Sequence, residues 1–261
     1  MEITVLKNTV LITAVSLMLL STQAHAASTN PTLHDQISFR AGGFFADIDT
    51  SVTIDGKKFD FEEVLDDNVT TGAITALWRV TEKLRINFGY WAVDRDESTL
   101  LGVGGATAAV SFDTSYLNAA VGYSFIRSDT TEFGADLGLA GLSLKSELGA
   151  GVPGAGGITV TAFDETYVLP TIGLYINQAL SPKWSVSARI GGIGLDLGDE
   201  FKGTIIESNA AIEFRPWTNV GLGLSYMYNS ADATLKDIGN GDGLEVDWKY
   251  QGPVGYLTLG F

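Results

Sequence analysis

The chain has 261 residues, 45% hydrophobic and 18% charged, with 31 glycines, no cysteine and a formal net charge of -15. The lack of cysteine excludes disulfides, thiol catalysis, cysteine-bound zinc and a lipid-modified N-terminal cysteine. The acid excess excludes a nucleic-acid surface, which needs clustered Lys and Arg, and the apolar content excludes a disordered chain.

Residues 1–26 read as an export leader. An apolar stretch over residues 10–20 precedes Ala24-His25-Ala26, a small-residue cleavage pattern, so a cut after Ala26 is expected. Residues 27–261 carry no composition break and are expected to form one domain. They hold no apolar run long enough to cross a membrane as a helix.

Period-two alternation is widespread instead. Val220, Leu222, Leu224, Tyr226 and Tyr228 alternate with Gly221, Gly223, Ser225, Met227 and Asn229. Leu84, Ile86, Phe88 and Tyr90 alternate with Arg85, Asn87, Gly89 and Trp91. Ten strands are predicted, over 36–50, 69–80, 83–96, 106–126, 132–146, 158–179, 184–198, 202–216, 219–235 and 245–261. Eight or twelve are the alternative counts. Short connections such as Thr81-Glu82-Lys83 and Ser181-Pro182-Lys183 mostly alternate with longer ones over 54–68, 96–105, 147–157 and 236–244. This is the layout of an all-β, transmembrane, antiparallel up-and-down barrel. Pro170 has no N–H and marks an irregularity in its strand. A phase change at Gly191-Gly192 predicts a bulge.

Alternation alone leaves open a soluble barrel with an apolar lumen. Other features place lipid outside. The face opposite the large apolar residues is mostly Gly, Ala, Ser and Asn, which suits a tight interior. Trp78, Phe125, Phe133, Trp184, Phe214 and Trp217 flank the short turns, as in an aromatic girdle. The chain then ends Tyr256-Leu257-Thr258-Leu259-Gly260-Phe261. This ending resembles the C-terminal signature of bacterial outer-membrane barrels, a terminal aromatic preceded by apolar residues at alternate positions. With the leader and the repeated pattern, the whole chain resembles small Gram-negative outer-membrane β-barrel proteins, a group that names a location and not an activity. The resemblance implies a cell outer-membrane location among lipid and lipopolysaccharide. It also implies insertion by the barrel-assembly machinery, which would read Leu257, Leu259 and Phe261.

The face opposite the apolar one carries Arg40, Arg79, Arg85, Asp136, Glu165, Arg189, Glu207, Glu213 and Arg215, so five of the seven arginines are expected in the lumen. There they should pair with carboxylates. A polar lumen of this kind is expected to be a narrow pore or small-solute channel. The alternative is a structural or adhesin-like barrel whose lumen is plugged by those salt bridges. Charges of the wrong parity, at Asp47, Asp49, Asp94, Asp113, Lys145 and Asp196, are expected on strand extensions above the bilayer.

The long loops are acidic, with Asp55, Asp60, Glu62, Glu63, Asp66 and Asp67 in the first. Divalent cations are candidate partners there, because hard cations take oxygen ligands. Solvated carboxylates around glycine turns are the plainer expectation. No catalytic, cofactor or metal site is expected. Omptin proteases share the expected strand number but use a His–Asp pair, and barrel lipid hydrolases use Ser–His. After the leader this chain has one histidine, His34, just ahead of the first strand and far from the outer loops.

Overall fold

A computed structural model describes residues 29–54, 57–60, 68–101, 106–152, 156–196, 201–235 and 244–261. The leader, most of the first acidic loop and the 236–243 turn lie outside these residues. A single helical turn, α1 (Pro31–His34), precedes the strands β1 (Ile37–Ile54), β2 (Lys57–Asp60), β3 (Asn68–Arg79), β4 (Leu84–Leu101) and β5 (Ala106–Arg127). They continue as β6 (Thr131–Val152), β7 (Gly156–Ala179), β8 (Trp184–Asp196), β9 (Phe201–Phe214), β10 (Val220–Leu235) and β11 (Leu244–Gly260). All pairings are antiparallel between chain neighbours, and β1 closes the sheet on β11 from Ser38↔Gly260 to Ile54↔Leu244. The short β2 pairs only with the far end of β1, so the wall has ten staves.

The turns at one end share a chemical device. Thr81, Ser128 and Ser181 each accept, through the side-chain hydroxyl, from the backbone N–H groups two and three residues on. A hydroxyl at that position fixes a tight turn without glycine.

The outer surface above these turns is apolar. Phe39, Ile74, Phe88, Leu117, Val121, Leu137, Leu139, Val168, Leu222 and Leu257 are all exposed on it. Trp78, Tyr123, Phe125, Trp184 and Trp217 ring its lower edge, and Phe45, Tyr90 and Tyr226 its upper part. The belt ends at a level of outward charges that are ladder neighbours, Asp94↔Asp113, Asp113↔Lys145 and Lys145↔Asp164. On the other side of the wall, Asp49 bonds Lys249 at the same kind of edge. From Leu84 to Asp94, at 3.3 Å per residue and the usual tilt, the belt is about 25 Å tall, the thickness of a transmembrane barrel's apolar band.

Strands continue beyond that level. β1, β4 and β6 run to residues 54, 101 and 152, past the predicted ends at 50, 96 and 146. There the ladder pairing continues with no lipid to require an apolar outer face. Just below that level the apolar residues change sides. On β4 the exposed residues Phe88 and Tyr90 give way to buried Trp91 and Val93. On β6, exposed Leu137 and Leu139 give way to buried Leu142 and Leu144. The interior is thus polar in the lower part of the belt and apolar near its upper edge.

The phase change at Gly191-Gly192 has this cause. The β8–β9 ladder runs without a register shift from Trp184↔Phe214 to Asp196↔Lys202, so the predicted bulge is absent. The ladder does shift at Ser124/Ile126 in β5. Phe125 and Ile126 both face outward there, and the bulge returns Arg127 to the interior. Two ladders stop early, β3–β4 at Ala73↔Trp91 and β7–β8 at Ile172↔Gly192. Pro170, lacking a donor, sits two residues past the second stop.

Candidate functional site: the interior of the barrel

The interior has three levels. At the turn end, residues 30–35 are drawn into the mouth as a plug. Pro31 opens the helical turn α1, and Asn30 caps it by accepting from Thr32 N–H at 3.0 Å. The Asn30 amide also donates to the carbonyls of Ser181 and Trp184 in a wall turn. Arg79 donates to the carbonyls of Asp35 (2.8 Å) and Thr32 (3.2 Å), and Arg127 to that of Leu33 (2.8 Å). Arg215 bonds the Asp35 carboxylate at 2.6 Å and Glu213 at 2.7 Å. Glu213 also takes Arg40, Thr32 and Thr258. Glu132, 1% exposed, gathers Arg79 at 2.9 Å, Arg127 at 3.7 Å and Arg85 at 3.8 Å, with Ser124 and Asn177. Gly260 makes room for this knot, since a methyl group there would collide with the Asp35 carboxylate.

Above the plug is a chamber of about 240 Å³ with polar walls that include Arg85, Asn87, Asn118, Asn209 and Asn229. Arg189 crosses it as a bidentate partner of Asp136, with Nε and Nη2 at 2.9 and 2.8 Å, and also bonds Glu207. Tyr116 donates to the same Glu207.

The third level is apolar. Trp91 of β4 stacks on Trp248 of β11, with centroids 5.9 Å apart and planes 5° off parallel. Tyr250 touches both rings at 4.9 and 4.8 Å, and Phe44 meets Trp91 edge-on at 5.7 Å. Ile48, Val93, Phe112, Leu142, Leu144 and Ile205 complete the layer. Aromatic residues of this size dominate core energetics and close the lumen a second time.

Of the nine charged residues predicted for the lumen, eight lie in these networks, while the Glu165 side chain falls outside the described set. The expected arginine count was low, because all seven turn inward. Arg127 is brought in by the β5 bulge, and Arg95, 3% exposed, lies over the Phe112 ring. Asp35 and Glu132 were not anticipated. Asp35 precedes the first strand and Glu132 is second in β6, where alternation has barely begun. Parity does assign Glu132 inward, with Gly134 and Asp136. The parity-breaking charges Asp47, Asp49, Asp94, Asp113 and Lys145 face outward at the top of the belt, while the Asp196 side chain falls outside the described set. His34 is exposed beside the plug, away from every carboxylate of the far end. Among the described residues, no three His, Asp or Glu side chains gather as a metal site.

A closed ten-stave wall with a 25 Å apolar belt and a polar lower interior decides the class. The chain is an outer-membrane-type β-barrel. No protein-family model and no curated protein matches its sequence. Solved structures match its fold. The outer membrane protease OmpT of Escherichia coli superposes with a TM-score of 0.59 at 10% identity, over 91% of this chain and 99% of that one. The toluene transporter TodX of Pseudomonas putida matches at TM-score 0.33 and 9% identity, over 90% of this barrel and 93% of that one. Ail, the attachment invasion locus protein of Yersinia pestis, matches at 0.29 and 11%, over 85% and 98%. At 10% identity the likeness to OmpT is one of fold alone.

Proposed function

We propose that this barrel is a passive protein of the Gram-negative outer membrane that rests closed and acts through its projecting surface, as a structural or surface-interaction protein. One observation carries this: the lumen is obstructed twice, by the strapped plug and by the aromatic layer. The strands that run past the belt carry the surface such a protein would present. Asp47, Asp94, Asp164 and Asp247 are exposed on the strands. With the acidic loops, they suit contact with the divalent cations held by lipopolysaccharide. No catalysis is assigned; His34, the one histidine after the leader, is exposed at the turn end. Export by a leader cut after Ala26, and insertion by the assembly machinery through Leu257, Leu259 and Phe261, complete the proposal.

Planar-bilayer recording tests it. The full barrel should show no stable single-channel steps, and a variant lacking residues 29–35 should still show none while the aromatic layer holds. Combining that deletion with Trp91→Ala should open steps. Stable steps from the unaltered protein would overturn the proposal and favour the second possibility, a narrow solute channel, which the polar chamber supports.

A further inference from the structure

We propose that the mid-barrel chamber is a binding site for a small oxyanion, a carboxylate or an inorganic oxyanion such as phosphate. Four arginines and one carboxylate line it: Arg40, Arg79, Arg85 and Arg189 against Glu207. Three of the arginines are matched at short range by carboxylates, Arg40 by Glu213 at 3.0 Å, Arg79 by Glu132 at 2.9 Å and Arg189 by Asp136 at 2.8 Å. Arg85 is not. Its one carboxylate contact is Glu132 at 3.8 Å, an oxygen that Arg79 already holds. Arg85 is 6% exposed, its guanidinium rests on the Tyr175 ring, and its Nε has no acceptor.

Two further donors face the same space without a partner. Asn87 follows Arg85 by two residues on the inner face of β4, and Asn229 of β10 is 5% exposed. The buried side-chain atoms that lack partners among the described residues are N–H donors or hydroxyls, and no carboxylate oxygen is among them. A buried donor left unpaired is costly, and a buried charge more so. The chamber therefore wants acceptors and negative charge. Its volume holds an anion of a few heavy atoms with some water, and the low-dielectric wall around it strengthens the attraction.

The site stands whether or not the barrel conducts. The test is refolding of the full chain from urea into detergent micelles with sodium phosphate or sodium acetate, against sodium chloride at matched ionic strength. Phosphate and acetate are run separately, so the two chemical sources are distinguished. At a hundredfold excess over Kd, the oxyanion that binds should raise the unfolding midpoint by about 5–10 °C and saturate. Arg85→Met should abolish the saturable part. If that variant does not fold, Asn229→Leu, which removes a donor and no charge, should raise the apparent Kd about tenfold. A response to both oxyanions equal to that of chloride, or a saturable response unchanged in both variants, would mean that the chamber holds only water and would overturn the proposal.

Discussion

Arg215 is the place to break the plug. It is 2% exposed and bonds Asp35 at 2.6 Å, Glu213 at 2.7 Å and the Thr218 carbonyl at 3.1 Å. In Arg215→Ala, Glu213 keeps Arg40 at 3.0 Å and the hydroxyls of Thr32 and Thr258. Asp35 loses the ion pair that neutralises its carboxylate. Removing one partner of a buried pair costs about 3–5 kcal/mol, because the other charge stays buried. At 1.4 kcal/mol per factor of ten, the docked plug should become less favoured by roughly two to three and a half orders of magnitude. The chain has no cysteine, so a single Leu33→Cys reports on undocking. Leu33 is 2% exposed and reacts with a maleimide only when the plug leaves. Labelling of purified barrel in micelles should run at least a hundredfold faster with Arg215→Ala, and adding Asp35→Asn should recover much of the difference. An unchanged labelling rate would refute the claim that this ion pair holds the plug.

Other outcomes follow from the same structure. Glu132→Gln strips the shared carboxylate from Arg79, Arg85 and Arg127 and should lower unfolding stability by about 3–5 kcal/mol in urea titration. Leu137→Arg, in the middle of the lipid belt where Leu137 is 66% exposed, should cost about 2–4 kcal/mol in vesicles, whereas Asp94→Leu at the belt edge should be near neutral. Trp91→Ala should loosen the aromatic layer by about 3–5 kcal/mol, seen as a lower midpoint in urea titration. Phe261→Ala should reduce assembled barrel in cells without lowering the stability of protein refolded in micelles.

The staves were legible wherever lipid enforced a rule. In β10, from Val220 to Tyr228, one face must be apolar and the other small, and two-residue periodicity records it. Near the upper edge of the belt a second rule joins it. Trp91, Val93, Leu142 and Leu144 form a core whose parity is opposite to the lipid face, and the switch at Gly191-Gly192 imitates a bulge. Lumen charges were legible by parity alone, which fails at Arg127 because a real bulge intervenes. The plug could not be read at all. Asn30, Thr32 and Asp35 belong to a short irregular segment, and their partners lie more than forty residues away, as in Asp35 with Arg79 and with Arg215.

The seam has a consequence for how the barrel comes apart. Residues 30–35 come just before β1, and β1 pairs with β11 to close the wall. The Phe261 carbonyl accepts from the N–H groups of Gln36 and Ile37, and Thr258 on that closing strand bonds Glu213 inside the knot. The seam and the stopper therefore share one set of bonds. Loosening the last strand should free the mouth as well, so the two are expected to come apart in a single unfolding step.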